Sequence, residues 1–209
     1  MGKETSIVFS DDPAPGRVTL NFFGVPDAEF SVLADSFRAI ASAACEQLRE
    51  AGRLATAGVP VFDNLLAYPI VFSFRHALEL QMKALILEAE PIFARRGEPG
   101  VDRAKLFTHS LEALRGDVER LFESSHWTWE IAPPHFRTLN DFRRVIGELH
   151  DVDPRSFCFR YPVDKAGHAA LDDHFEFNLF TFASRMDELI CGLGGFVLRA
   201  ADERYSFRP

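Results

Sequence analysis

The sequence predicts an all-α fold, a bundle of about five helices carrying a short N-terminal β-hairpin or extended arm. Three observations lead there. Apolar residues recur at three- and four-residue spacing in long runs from residue 28 onward. The links between those runs are short, as in bundles. Strand-like runs are confined to the first 26 residues. With 209 residues and 47% hydrophobic content, including 21 Phe, the chain can bury one sizeable core. The expected organisation is an arm over 1–26 and a helical domain over 27–209.

In the arm, "SIVF" and "RVTLNFFG" flank the turn-rich "SDDPAPG". A first helix fits Ala28 to Ala51, with Phe30, Leu33, Phe37, Ile40, Ala44 and Leu48 on one side. A second fits Phe62 to Glu90, with a bend expected where Pro69 removes a backbone donor. A third, Ser110 to Ser124, opens on a natural cap and has Glu112 in its first turn. A fourth runs from about Pro134 to His150, on Phe136, Leu139, Phe142, Ile146 and Leu149. An extended piece, "SFCFRYP", leads to a last helix from Leu171 to about Asp202. Its "GLGG" at Gly192 to Gly195 reads as a break or a close-packing site.

Composition excludes several classes. A net charge of −8 provides no global basic footprint for nucleic acid and no polybasic membrane tail. The uncharged run Leu65 to Phe74 is too short to span a bilayer, so no membrane role is expected. Cys45, Cys158 and Cys191 share no metal or redox spacing, which fits reduced thiols in a cytoplasm. The N-terminus lacks the apolar run of a signal peptide. His168 and His174 are too far apart for an i,i+4 metal pair, and neither a Gly-rich phosphate loop nor a nucleophile elbow is present. No metal or cofactor is expected.

Two polar clusters remain. In "FSFRHALELQMKALI", Arg75, Glu79 and Lys83 form one stripe with His76 beside it, on an otherwise apolar helix. Both i,i+4 pairs have opposite charge, so the plain reading is a pair of salt bridges at the helix edge. The functional reading is the wall of a polar pocket, because a charge buried in a bundle must be partnered.

The second cluster spans Arg137 to Arg160, with five arginines and four acids against 18 basic and 27 acidic residues elsewhere. It is the place where this acidic chain best meets an anion. Arg143 and His150, seven residues apart, lie within about 20° of one face, whereas Arg144 points toward solvent. An arginine and a histidine on one face could hold a phosphate and move a proton. The plain alternative is a solvated arginine and a histidine at a helix C-terminus. His109, just before the third helix, either caps it or faces the second.

The segments "YPIVFSFRHALELQMKALI", "HSLEAL" and "DVDPRSFCFRYPVDKAG" together resemble a bacterial group of HEPN-like proteins. The matching positions are Arg75, His76, Glu79 and Lys83, then His109 and Leu111, then Asp153, Phe159, Arg160, Tyr161 and Pro162. The likeness covers about Tyr68 to Leu198. It implies a helical bundle that usually dimerises, and in many members a metal-independent endoribonuclease of toxin–antitoxin, phage-defence or RNA-processing systems. The family signature is Arg followed four to six residues later by His. Arg143 or Arg144 with His150 precedes the "FRYP" segment, and Arg160 and His168 are more widely spaced than the signature.

Two functions follow as expectations. One is a ribonuclease or RNA-binding protein of a defence or stress system, in which Arg143, Arg144 and His150 act. The other is a non-catalytic helical module for a partner protein or a small nucleotide-like ligand. There Arg75, His76, Glu79, Lys83, His109, Asp153, Arg160 and Tyr161 would line the pocket.

Overall fold

The periodic runs become five α-helices in a computed structural model that describes residues 26–54, 64–164, 166–171 and 175–206. The expected N-terminal arm lies outside these residues. The helices are α1 (Pro26–Glu50), α2 (Ala67–Arg95), α3 (Leu111–Ser124), α4 (Leu139–Val152) and α5 (Leu179–Ser206), with a 3-10 helix, Arg103–Phe107, before α3. No strand forms among the described residues; only the isolated bridges Ala132–Phe136 and Val163–Ala169 occur. The all-α reading therefore holds.

Helix α2 is the axis of the bundle. It packs against α1, α3 and α5, while α1 also meets α5 and α4 rests on α3. This position explains why α2 is apolar nearly all round: Phe74, Leu78, Met82, Leu85 and Phe93 are all buried. Arg38 and Ser42 of α1 donate to Asp187 of α5 at 2.7 and 3.1 Å, tying the two helices that flank the axis.

Several boundaries shift, each for a local reason. Pro69 lies in the first turn of α2, where its missing N–H would have been unpaired anyway, so no bend is needed there. Beyond Pro91 the helix continues to Arg95 because Ile92 and Phe93 bury their side chains in the core. Helix α4 starts at Leu139 and not near Pro134. Thr138 and Asp141 form a reciprocal capping box, and residues 132–136 make a bridged turn with a cis Pro133–Pro134 bond. Helix α5 begins after Asn178, whose Oδ1 accepts from Thr181 N at 2.9 Å. The "SFCFRYP" piece is not extended: Arg160 N and Tyr161 N both donate to the Phe157 carbonyl, closing a turn.

The "GLGG" stretch does not break α5. Gly192 is a close-packing site, since a Cβ there would come within 2.2 Å of the Ile131 carbonyl oxygen. Gly195, three residues on, has open space at the same position. Alanine in a helix interior is intrinsically favoured over glycine by about 1 kcal/mol. Gly195→Ala should therefore raise the melting temperature slightly, by roughly 2–4 °C per kcal/mol. Gly192→Ala should lower it, since overpacking costs typically about 1–3 kcal/mol. Thermal melts of the two variants check the opposite signs.

Candidate functional site

The polar stripe of α2 is not at the helix edge. Arg75, Glu79 and Lys83 are all buried, with Glu79 wholly inaccessible. Their i,i+4 spacing stacks them on one face, and both predicted pairs form: Lys83 Nζ to Glu79 Oε1 at 2.7 Å and Arg75 Nη1 to Glu79 Oε2 at 3.5 Å.

Two other elements complete the cluster. In the turn before α3, Ser110 N donates to Thr108 Oγ1 at 3.1 Å, and Ser110 Oγ accepts from Ala113 N at 3.3 Å. That cap fixes His109 between them. Its carbonyl accepts from Arg75 Nη2 at 2.8 Å, and its Nδ1 lies 3.0 Å from Glu79 Oε1. His109 thus faces the second helix, one of its two expected placements. At the end of α4, the buried Asp153 accepts from Arg75 Nη2 through its carbonyl at 3.1 Å and pairs with Arg75 Nε through Oδ2 at 3.5 Å. Its other oxygen, Oδ1, accepts from Phe157 N at 2.6 Å and Cys158 N at 3.2 Å.

The interior therefore holds two cations, Arg75 and Lys83, against two carboxylates, Glu79 and Asp153. Burial pulls the Arg75 guanidinium below its ordinary value, and Asp153 and then Glu79 oppose that pull. The two contacts at 3.5 Å are ion pairs without hydrogen bonds, leaving Arg75 Nε and Nη1, Glu79 Oε2 and Asp153 Oδ2 otherwise unsatisfied. The His109 side chain is 53% exposed, so the cluster has one outlet to solvent. With Nδ1 engaged, Nε2 is the ring nitrogen left to meet a ligand; among the described residues nothing bonds to it.

His76 lies within electrostatic reach of both His109 and Arg160, and Tyr161 follows Arg160 in the chain. His76 is stacked on Phe72 at 5.6 Å and touched edge-on by Phe37 at 4.6 Å. Burial lowers its pKa, and the nearby Glu79 carboxylate partly restores it. Arg160 does not reach Glu79. Its Nε donates to the Ser156 carbonyl, and its guanidinium lies 5.5 Å from the centre of the Phe72 ring.

The other predicted trio lies apart from this hydrogen-bonded cluster. Arg143 donates from Nε and Nη2 to Glu119 of α3, at 2.9 and 2.5 Å, so its fork is already filled. Arg144 points to solvent as expected, 3.7 Å from Glu148. His150 is half-buried, and its Nδ1 is buried without a hydrogen-bond partner. No hydrogen bond or ion pair among the described residues links it to either arginine.

Sequence reasoning missed a third feature. A groove of about 740 Å³ runs between α4 and α5, floored by Phe136, Leu149, Phe159 and Met186. On its rim His135 Nδ1 lies 2.7 Å from Glu188 Oε2. The two residues are far apart in the chain, and no spacing rule connects them. Among the described residues no three His, Cys, Asp or Glu side chains gather as a metal site requires. Burial raises the thiol pKa of Cys45, Cys158 and Cys191, which disfavours the thiolate form. No helix among the described residues is long and apolar enough to cross a membrane.

Two outcomes follow from the buried cluster. Glu79→Gln leaves Arg75 and Lys83 buried with half their compensation, and breaking such a pair costs about 3–5 kcal/mol. Chemical denaturation should show that loss, while Arg144→Ala should stay within about 0.5 kcal/mol of wild type. His76 gives a pH signature. The unfolded chain binds a proton there near pH 6.5, whereas the folded chain resists it. The stabilising contribution is therefore complete above that pH and falls as the pH drops below it. Replacing His76 with Phe should flatten the decline in melting temperature as the pH falls below about 6.5.

Comparison of the chain with protein-family models, with curated proteins and with solved structures found no match in any of the three.

Proposed function

We propose that the chain is a HEPN-like protein of a bacterial defence or stress system that cleaves RNA without a metal, with His109 as the proton-transfer group. The observation that carries this reading is the Glu79–His109 pair: a wholly buried carboxylate 3.0 Å from Nδ1 of a half-exposed imidazole. A carboxylate in that position orients the ring and fixes the tautomer. His109 Nε2 would take the proton of a ribose 2′-hydroxyl. The O2′–P bond forms as the P–O5′ bond breaks, leaving a cyclic phosphate. The departing 5′-oxygen takes a proton from water, and His109 returns its own to solvent. Arg160, whose guanidinium has no carboxylate partner among the described residues, would carry the phosphate charge.

The trio Arg143, Arg144 and His150 is less suited to this work, because the Arg143 guanidinium is spent on Glu119. The resemblance that motivates the family reading further implies a homodimer, and three cysteines without metal or redox spacing fit a cytoplasmic setting. A second reading is a non-catalytic module that binds a partner protein or nucleotide at the same outlet. It is favoured by the even charge balance of the buried cluster, which gives Arg75, Glu79, Lys83 and Asp153 a structural reason to be there.

The test is incubation of purified protein with total RNA and with tRNA in chelator, beside His109→Ala and His150→Ala. Loss of one general base typically removes about 10²–10⁴ in rate. His109→Ala should show that loss, and His150→Ala should remain near wild type. Absence of cleavage by the wild type supports the non-catalytic module, and equal cleavage by His109→Ala removes that residue from the mechanism.

A further inference from the structure

Resting on the reading that the His109 outlet receives RNA, we infer that the turn after α4 is a subsite for one unstacked nucleotide, its base on Tyr161 and its phosphate on Arg160.

The turn is held rigidly. Asp153 Oδ1 binds Phe157 N and Cys158 N, and the Phe157 carbonyl accepts from Arg160 N at 3.0 Å and Tyr161 N at 3.1 Å. Ser156 is buried and has φ of 57°, a left-handed conformation that non-glycine residues rarely adopt. Its carbonyl accepts from Arg160 Nε, so the same turn aims the guanidinium.

What it presents is a cluster of flat groups. His76 stacks on Phe72, with an interplanar angle of 8°. The Arg160 guanidinium lies 5.5 Å from the Phe72 ring centre and 5.9 Å from that of Tyr161. Phe157 packs against Tyr161 with ring centres 4.9 Å apart and planes tilted by 34°. Tyr161 itself is 51% exposed, an aromatic surface left to solvent beside a cation. Every nucleobase has a face that such a ring can stack on, and the arginine flanking it matches the phosphate of the same nucleotide. A paired base keeps its faces inside the helix, so the subsite selects single strands.

The selectivity also fits an acidic chain. With few cations to follow a backbone, affinity must come from stacking and one or two phosphates. Lys83 and Arg75 do not add to that count, because Glu79 and Asp153 neutralise them inside the protein.

The experiment measures anisotropy of a fluorescein-labelled single-stranded octaribonucleotide with the full chain, in chelator to which a nuclease-blocking 2′-O-methyl backbone adds protection. Stacking on one aromatic side chain is worth about 1–3 kcal/mol, or roughly 5- to 150-fold in Kd. Tyr161→Ala should lose that much, and Tyr161→Phe should stay within about twofold because the ring face is kept. Arg160→Ala should weaken binding and reduce the slope of log K against log salt by about 0.7. A duplex of the same strand should bind at least about tenfold more weakly than the single strand.

A Tyr161→Ala protein that binds as wild type does, or a duplex bound as tightly as the single strand, overturns the proposal. Unchanged melting of Tyr161→Ala excludes misfolding as the cause of lost binding. Comparison with cleavage separates this inference from its premise. Cleavage that needs His109 but ignores Tyr161 sinks the subsite alone. Tyr161-dependent binding without any His109-dependent cleavage sinks the proposed reaction alone. Failure of both binding and cleavage removes both.

Discussion

The bundle depends on one buried guanidinium. Arg75 sits in the first third of the central helix and donates to the carbonyls of His109 and Asp153, residues from the start of α3 and the end of α4. Neither carbonyl is in a helical ladder, and that of Asp153 otherwise accepts a long bond from Ser156 N at 3.4 Å. By supplying both, Arg75 pins two helix termini to the axis and sets how α3 and α4 sit on α2. A lysine could not do this, because it lacks the planar fork that reaches several acceptors at once.

The arrangement carries a consequence for the rest of the interior. A buried arginine requires nearby anions, so Glu79 and Asp153 must also be buried, and Lys83 then balances Glu79. Such clusters are poor sources of net stability compared with apolar packing, but each member becomes costly to remove once the others are present. Around them the bundle is ordinary. Phe74, Leu78, Leu85, Phe122, Phe142 and Leu189 fill the core that makes the fold stable.

Much of this was legible in the sequence, because helical periodicity reports directly on which face is buried. The stripe Arg75–Glu79–Lys83 could be placed on one face from spacing alone, and both of its pairs form. Its burial could not be read, since that depends on α1, α3 and α5 surrounding α2 on all sides. The partners His109 and Asp153 are 34 and 78 residues from Arg75, beyond the reach of any local pattern. Spacing drew attention to Arg143 and His150 because they share a helical face. It could not show that Glu119 of the neighbouring helix already occupies the arginine. The start of α4 did have a local signal, the capping box of Thr138 and Asp141, which outweighed the apolar Phe136 upstream. Gly192 needed the fold, since its reason for being glycine is a carbonyl 61 residues earlier in the chain, at Ile131.

The same cluster explains why the proposed proton transfer is assigned to His109, in the turn before α3, and not to a residue of α2. Burial makes a carboxylate a strong orienting group but an inaccessible one, and Glu79 cannot touch a substrate. His109 bridges that gap. One ring nitrogen faces the buried charge while the ring edge remains half exposed. His76, four ångströms or so of helix rise away from Glu79 along α2, lacks this advantage. It is packed between Phe72 and Phe37, and burial holds it toward the neutral form. The two histidines therefore have different uses. His76 packs against Phe72, the ring that also faces Arg160, whereas His109 joins the solvent to the charge inside.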